Sequence, residues 1–289
     1  MLTVGDSETG PGPGATAFGA AARAIGMAAV TALALSACGG DGAGGEGGNG
    51  VSPGLPGGPG DPPVRLEGAW SGSFEIDPAR GDARWLVLPG GEYWILYGGQ
   101  GGGGFAVDGF VQGSGVSTDG KFASADARDF FGIDPAVAGT LEASYTNQSL
   151  LGAASFPQWT IDFAGAPIPS TSYDYDAPAA LADIVGLWPM RLMDGTPVDV
   201  TVQPDGRFSG IDSSNFGGPK CQFTGTMAAR PGENVFDAVV EFGPACFLAN
   251  QFITGVGFTY TIAGTAVREF LVAGVNGIRG RGMALHGTR

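Results

Sequence analysis

Charge is scarce in this chain, and basic charge most of all. Lysine occurs twice (Lys121, Lys220), histidine once (His286), and charged residues make up 15% of the 289 positions. The 14 basic residues are outnumbered by 28 acidic ones, a formal net charge of −14. Such a surface repels nucleic-acid phosphates and gains nothing from anionic lipid, so nucleic-acid binding is excluded as a working class. Long amphipathic helices laced with Glu and Lys are also absent, and surface polarity must come largely from Ser, Thr, Asn, Gln and backbone. Cys221, Cys246 and the distant His286 do not complete a tetrahedral metal site, so no metal or other cofactor is expected. No Gly-x-Ser-x-Gly elbow accompanies His286. The Gly101–Gly104 run lacks the lysine and following helix of a phosphate loop. Asp174 and Asp176 lack the spacing of a calcium loop. Carboxylates that a glycosidase pair would draw on are plentiful (Glu75, Asp77, Asp108, Asp126, Asp129, Asp162), but sequence does not show which of them meet.

What is abundant is glycine, 54 residues, distributed in two ways. Between residues 39 and 60 it fills twelve of twenty-two positions, with three prolines and almost no large apolar side chain. That stretch cannot bury enough surface to offset its ordering entropy. As a flexible tether it would span roughly 25 Å. Further on, glycine cuts short apolar runs, the pattern of an all-β chain.

Ahead of the tether, Ala24–Ala37 is a fourteen-residue apolar run preceded by Arg23 and ending Leu35-Ser36-Ala37-Cys38-Gly39. It is shorter than the about 20 residues of a membrane span. The run with its small residues and cysteine resembles a bacterial lipoprotein signal peptide, with Cys38 as the lipidated residue. The resemblance implies that residues 1–37 are removed, and Gly39 in place of aspartate implies sorting to the outer membrane. Outer-membrane lipid would then be a partner through the acyl chains. Residues 1–22 depart from the pattern: they are Gly/Pro-rich and carry Asp6 and Glu8 where a basic leader is usual. Processing removes two negative charges and one positive charge, leaving −13.

From residue 64 onward the chain reads as two β domains, 64–176 and 177–289. Leu66-Glu67-Gly68-Ala69-Trp70 recurs as Ile184-Val185-Gly186-Leu187-Trp188, and Val87–Tyr93 as Val202–Phe208 around a Pro/Gly turn. Val111-Gln112-Gly113-Ser114 answers Phe223-Thr224-Gly225-Thr226. The second half divides into eight strands near 186–193, 197–203, 206–211, 221–228, 234–242, 252–261, 265–274 and 278–286. Short connections make them an antiparallel meander, closing as a small barrel or packing as a sandwich. Between the halves, Asp176 and Pro178 suggest a short capped helix over Ala179–Ile184.

Gly-x-Trp opening a strand resembles the calycin group, the lipocalins and avidin-like barrels. In lipocalins an arginine on the last strand packs across that tryptophan, which implies Arg279 or Arg281 for Trp188; the end of the first half offers none. A core tryptophan beside a glycine that permits a bend is the plain structural alternative. The overall layout also resembles Gly-rich two-part β lipoproteins of Gram-negative bacteria.

Cys221 and Cys246 are the remaining thiols. In an oxidising compartment an isolated pair of this kind forms a disulfide, with Gly243-Pro244 bending the chain to bring Cys246 back. The aromatic group Trp85, Tyr93, Trp94, Tyr97 and Phe105 is the candidate ligand or partner surface: Tyr93 and Trp94 are neighbours, so on a strand they point to opposite faces. One of them is either exposed or buried by a second layer. The expected function is non-catalytic, a lipid-anchored envelope protein that binds or builds structure. The alternatives are a carrier of a small apolar ligand inside a barrel, an envelope hydrolase with paired carboxylates, and a surface adhesin.

Overall fold

The computed structural model describes residues 64–101, 104–132, 134–214 and 217–289; the signal, lipidation and tether expectations for residues 1–63 lie outside it. The first domain contains β1 (Gly68–Ile76), β2 (Ala79–Val87), β3 (Glu92–Gly101), β4 (Gly104–Ser114), β5 (Val116–Thr118), β6 (Lys121–Phe131), β7 (Val137–Tyr145), β8 (Leu150–Ser155) and β9 (Thr160–Pro167). Neighbours pair antiparallel in sequence order. The ring closes where β1 pairs with β9 and β4 with β6, leaving β5 as a short flap paired to β6 alone among the described residues. The second domain is an eight-stranded antiparallel barrel: β10 (Gly186–Leu192), β11 (Pro197–Val202), β12 (Arg207–Asp212), β13 (Gln222–Ala229), β14 (Phe236–Phe242), β15 (Phe252–Thr261), β16 (Arg268–Asn276) and β17 (Gly282–Thr288). It closes through β10 and β17. Both domains are therefore closed meander barrels.

The helix expected between them does not form. Only a single 3₁₀ turn, Leu181–Asp183, is present; its N-cap is Ala180, with no side-chain cap. Asp176 is instead drawn to Arg65 at 2.5 Å, and the backbone of Ala179 bonds to Arg230 and Glu233 carbonyls. Tertiary partners for this segment outweigh a one-turn helix, which is costly to nucleate.

The internal matches fall on equivalent elements. Trp70 Nε1 donates to the Leu66 carbonyl (2.9 Å), and Trp188 Nε1 to that of Ile184 (2.7 Å), four residues back in each case. Gly68 and Gly186, at φ 141° and 111°, make the bends that let each indole reach back. The hairpin after β2 repeats after β11, bond for bond. Gly91 N–H donates to Leu88 and Gly206 N–H to Gln203; Leu88 bonds to Glu92 and Gln203 to Arg207. Tyr93 then lies over Gly113, and Phe208 over Gly225. A Cβ on Gly113 would stand 2.5 Å from the Tyr93 hydroxyl, and one on Gly225 2.4 Å from Cζ of the Phe208 ring.

Both barrel interiors are filled. Trp70, Phe74, Trp85, Tyr93, Tyr97, Phe122 and Phe163 pack the first. Trp188, Met190, Phe208, Phe223, Phe242, Phe270 and Met283 pack the second. A third core joins the barrels, because the outward faces of β2–β4 and β15–β17 are also apolar. Leu86, Trp94, Leu96 and Phe110 meet Val256, Phe258, Leu271 and Ala273 there. A Cβ on Gly282 would fall 2.5 Å from Phe110 and 2.7 Å from Phe130, so the second barrel's backbone lies directly on those rings.

The arginine on Trp188 is neither of the two expected. Arg289 stacks on Trp188, its guanidinium 4.0 Å from the ring centroid, and donates to the carbonyls of Val185 (2.8 Å) and Asp183 (3.0 Å). Arg279, expected there, sits in the β16–β17 turn and reaches across to the first barrel. It donates to Gln112 Oε1 (2.7 Å), to both Asp126 carboxylate oxygens (2.7 Å each) and to the carbonyls of Gln112 and Asp126. Arg281, the other expected partner, stands just before the last strand, where its backbone N–H donates to the Asn276 side chain (3.2 Å). The turn geometry decides: Arg279 takes φ 53° and leaves the barrel wall, whereas Arg289 follows β17 to the barrel end where Trp188 lies.

Cys221 and Cys246 are joined at 2.07 Å. The β13–β14 register pairs Phe223 with Phe242, and Gly243 N–H still bonds to the Gln222 carbonyl. A continued ladder would thus oppose Cys221 to Pro244. The chain instead turns at Gly243-Pro244, where Cys246 N–H bonds to the Gly243 carbonyl and the sulfur comes back.

Candidate binding surface

The aromatic group does not form an open surface. Trp85, Tyr93, Trp94, Tyr97 and Phe105 are all at most 2% exposed. Tyr93 and Tyr97 point into the first barrel, where their hydroxyls donate to Ser124 (3.1 Å) and Asp129 (2.7 Å). Trp85 meets Phe163 edge-on inside the same barrel. Trp94 and Phe105 point outward, as alternation requires, but the second barrel covers them. Trp94 donates to Glu92 (2.9 Å), and Phe105 lies beneath the Arg84 guanidinium at 4.7 Å.

The polar groups between the barrels went unseen in the sequence. Arg84 of β2 donates to the Tyr260 hydroxyl (2.6 Å), Tyr260 donates to Glu269, and Arg84 lies 3.7 Å from the same carboxylate. Glu269 is 1% exposed; burial pushes its carboxyl up, while Tyr260 and Arg84 pull it back. Two positions along the β16–β17 ladder, opposite Leu271, the Nδ1 of His286 accepts the Val107 N–H (3.3 Å). Burial, with Arg191 nearby, holds this imidazole down at about 4. A neutral histidine that spends a nitrogen on backbone across the interface positions strands. The cluster fastens one barrel to the other; no signal in sequence spacing could join residues 176 positions apart, as Arg84 and Tyr260 are.

The carboxylates sort into separate environments. Asp126 holds Arg279. Asp129, 3% exposed, accepts from Tyr97 and from Trp159 Nε1 (3.1 Å), and burial raises it to about 6. Burial also raises Asp108, against a backbone bond from Gly99. Asp77 lies in the β1–β2 turn. Glu75 and Asp162 alone among these meet, opposite each other on β1 and β9, with Arg80 bound to Glu75 at 2.8 Å. Asp174 and Asp176 flank Tyr175, and Asp176 is tied to Arg65. Among the described residues, no group of three or more His, Cys, Asp or Glu is arranged to hold a metal ion.

Glu75 and Asp162 belong to a larger feature. The faces of β1, β9, β8, β7 and β6 turned away from the second barrel form a broad groove of about 1000 Å³. Its register sets two rows of side chains across five strands. One row runs Glu75, Asp162, Ala153, Glu142, Ala123; the other runs Ser73, Ala164, Leu151, Ser144, Lys121. Alanine and serine keep the floor low. Leu151 is 59% exposed, and carboxylates stand along one side. No protein-family model matches the chain, and no curated protein is similar to it in sequence.

Proposed function

We propose that this protein is a lipid-anchored component of the bacterial outer membrane, held through Cys38, that works without catalysis by binding at its outer surface. The observation that carries the binding part is the filling of both barrels together with their fusion through a third core. A carrier of a small apolar ligand needs an interior cavity of several hundred Å³, and aromatic side chains occupy that space in both rings. The outer groove of the first barrel is open for recognition. The anchor is supported by the residues around Cys38, and the Cys221–Cys246 bridge fits an oxidising compartment. An envelope hydrolase would use Glu75 and Asp162, which stand opposite each other on β1 and β9.

The test has two arms. Cells expressing the full chain or Cys38→Ala are labelled with palmitate and fractionated; label and membrane association should both vanish in the variant. In parallel, a photo-crosslinking residue at Leu151 should capture an envelope component, while one at Asp205, on the far hairpin of the second barrel, should not. Membrane retention of unlabelled Cys38→Ala would overturn the anchor, and equal crosslinking at both positions would overturn the groove.

A further inference from the structure

A second cleft, of about 420 Å³, lies where β1 begins, between that strand and the segment 168–176 that leaves β9. The sequence Tyr173-Asp174-Tyr175-Asp176 alternates there: both tyrosines are buried, at 5% and 8% exposure, and both aspartates face outward. The segment is bolted to the second barrel. Tyr173 donates to the Asn234 carbonyl (2.5 Å), Asn234 N–H donates to the Tyr175 carbonyl (2.8 Å), and Asn234 Nδ2 to that of Asp174 (3.1 Å). Arg65 spans the cleft, its guanidinium 5.3 Å from the Tyr175 ring centroid and bound to Asp176.

One polar atom in this wall is unsatisfied. The Tyr175 hydroxyl is buried and finds no hydrogen-bond partner in the protein. A buried hydroxyl without a partner costs on the scale of a lost hydrogen bond; of the five such side-chain atoms among the described residues, it alone belongs to a residue that lines either cleft, and a group supplied from outside would meet its need. The rest of the lining restricts what that group belongs to. Three carboxylates, Glu67, Asp174 and Asp176, reject an anion, and their hydration costs reject a purely apolar guest. They are acceptors that want O–H or N–H donors. Arg65 and the Tyr175 hydroxyl supply donors, and Pro167, Ile168 and the edge of Trp70 give apolar contact.

We infer that this cleft binds a neutral saccharide unit of a glycan. A sugar ring carries hydroxyls that both donate and accept, and C–H faces that lie against apolar and aromatic edges. The volume suits one or two rings. This deepens the binding reading above but uses a different surface, and it stands or falls independently of the Cys38 anchor and of the groove around Leu151.

The full chain in detergent is titrated with neutral tetrasaccharides of N-acetylglucosamine, glucose, galactose and mannose, using saturation-transfer NMR and a thermal melt. At least one should bind with Kd in the millimolar range or tighter. Tyr175→Phe should weaken it at least fivefold while leaving Tm unchanged or raised, since it removes only the unsatisfied hydroxyl. Asp174→Asn, at an exposed position, should also weaken it and serves as the deciding variant if Tyr175→Phe fails to fold. Absence of binding by all four at 10 mM would overturn the inference. Binding that is the same in wild type and both variants would overturn it equally, by placing the sugar elsewhere.

Discussion

Replacing Asp129 with asparagine tests how strongly the first barrel resists a buried charge. The carboxyl sits inside the ring at 3% exposure, accepting from Tyr97 and Trp159, and burial lifts it from an ordinary 3.8 to about 6. Below 3.8 the proton is bound in both the folded and unfolded states, and above 6 in neither. Between these values the folded protein holds a proton that the unfolded chain has released, so stability falls as pH rises. The gap corresponds to about 3 kcal/mol. His286 works in the opposite sense. Its imidazole is held down at about 4 against an ordinary 6.5, so the unfolded chain takes up a proton that the folded one refuses, and stability rises with pH across that window. The two slopes oppose each other over nearly the same range, and the wild type should show a shallow pH profile. The Asp129→Asn substitution keeps the shape of the site, because the Tyr97 hydroxyl can rotate to accept from the new amide while Trp159 still donates. Urea unfolding of both proteins at half-unit steps from pH 3.5 to 7.5 gives the difference curve. Wild-type stability relative to Asp129→Asn should fall by about 2 kcal/mol from pH 4 to 6.5 and then stay nearly flat. A difference curve level to within about 0.5 kcal/mol would mean that the carboxyl titrates as an exposed one, and the burial argument would fail.

Arg279→Ala removes a cross-barrel clamp and leaves Gln112 and Asp126 without their partner, which should lower the unfolding free energy by about 2–4 kcal/mol. Arg279→Gly removes the same clamp but relieves the positive φ, so it should cost about 1 kcal/mol less than the alanine variant. Arg289→Ala strips the cation from Trp188 and two bonds from the 3₁₀ turn; chemical denaturation should register a loss of about 1–2 kcal/mol, with indole fluorescence shifted to longer wavelength. Cys221→Ser with Cys246→Ser opens a loop closed across 25 positions and should cost about 3–4 kcal/mol, while dithiothreitol should lower wild-type Tm but not that of the double variant.

How much of this could be read beforehand depends on distance along the chain. The second barrel's strands were legible because alternation in Val198–Val202 and the Pro/Gly turns are local signals, and the observed strands lie within a few residues of the expected bounds. The disulfide needed only a pair of thiols and a bend at Gly243-Pro244. The faces of Tyr93 and Trp94 were legible too, since a strand's period is two. What covers Trp94 was not, because its neighbours Val256 and Phe258 lie more than 150 positions away. A hint existed in Trp85-Leu86-Val87-Leu88 and in Phe270-Leu271-Val272-Ala273, where continuous apolar runs signal strands buried on both faces. The tyrosine hydroxyl without a partner left no trace in sequence, since any tyrosine reads alike there. Arg279 and Arg281 were expected at Trp188 because both stand near the last strand, and only the turn's backbone sends Arg279 outward and leaves Trp188 to Arg289.

Ring closure has a consequence for how this protein tolerates crowding. Proteins confined to a surface meet neighbours at high local density, and an open sheet edge invites strand exchange between them. Here seventeen strands present a single free edge among the described residues, the three-residue β5, which pairs with β6 on one side only. It is too short to template another chain, and Asp119-Gly120 turns it sharply away with φ values of 50° and 74°. Dense arrays of such molecules would stay distinct units, meeting through side chains and leaving their backbones unshared.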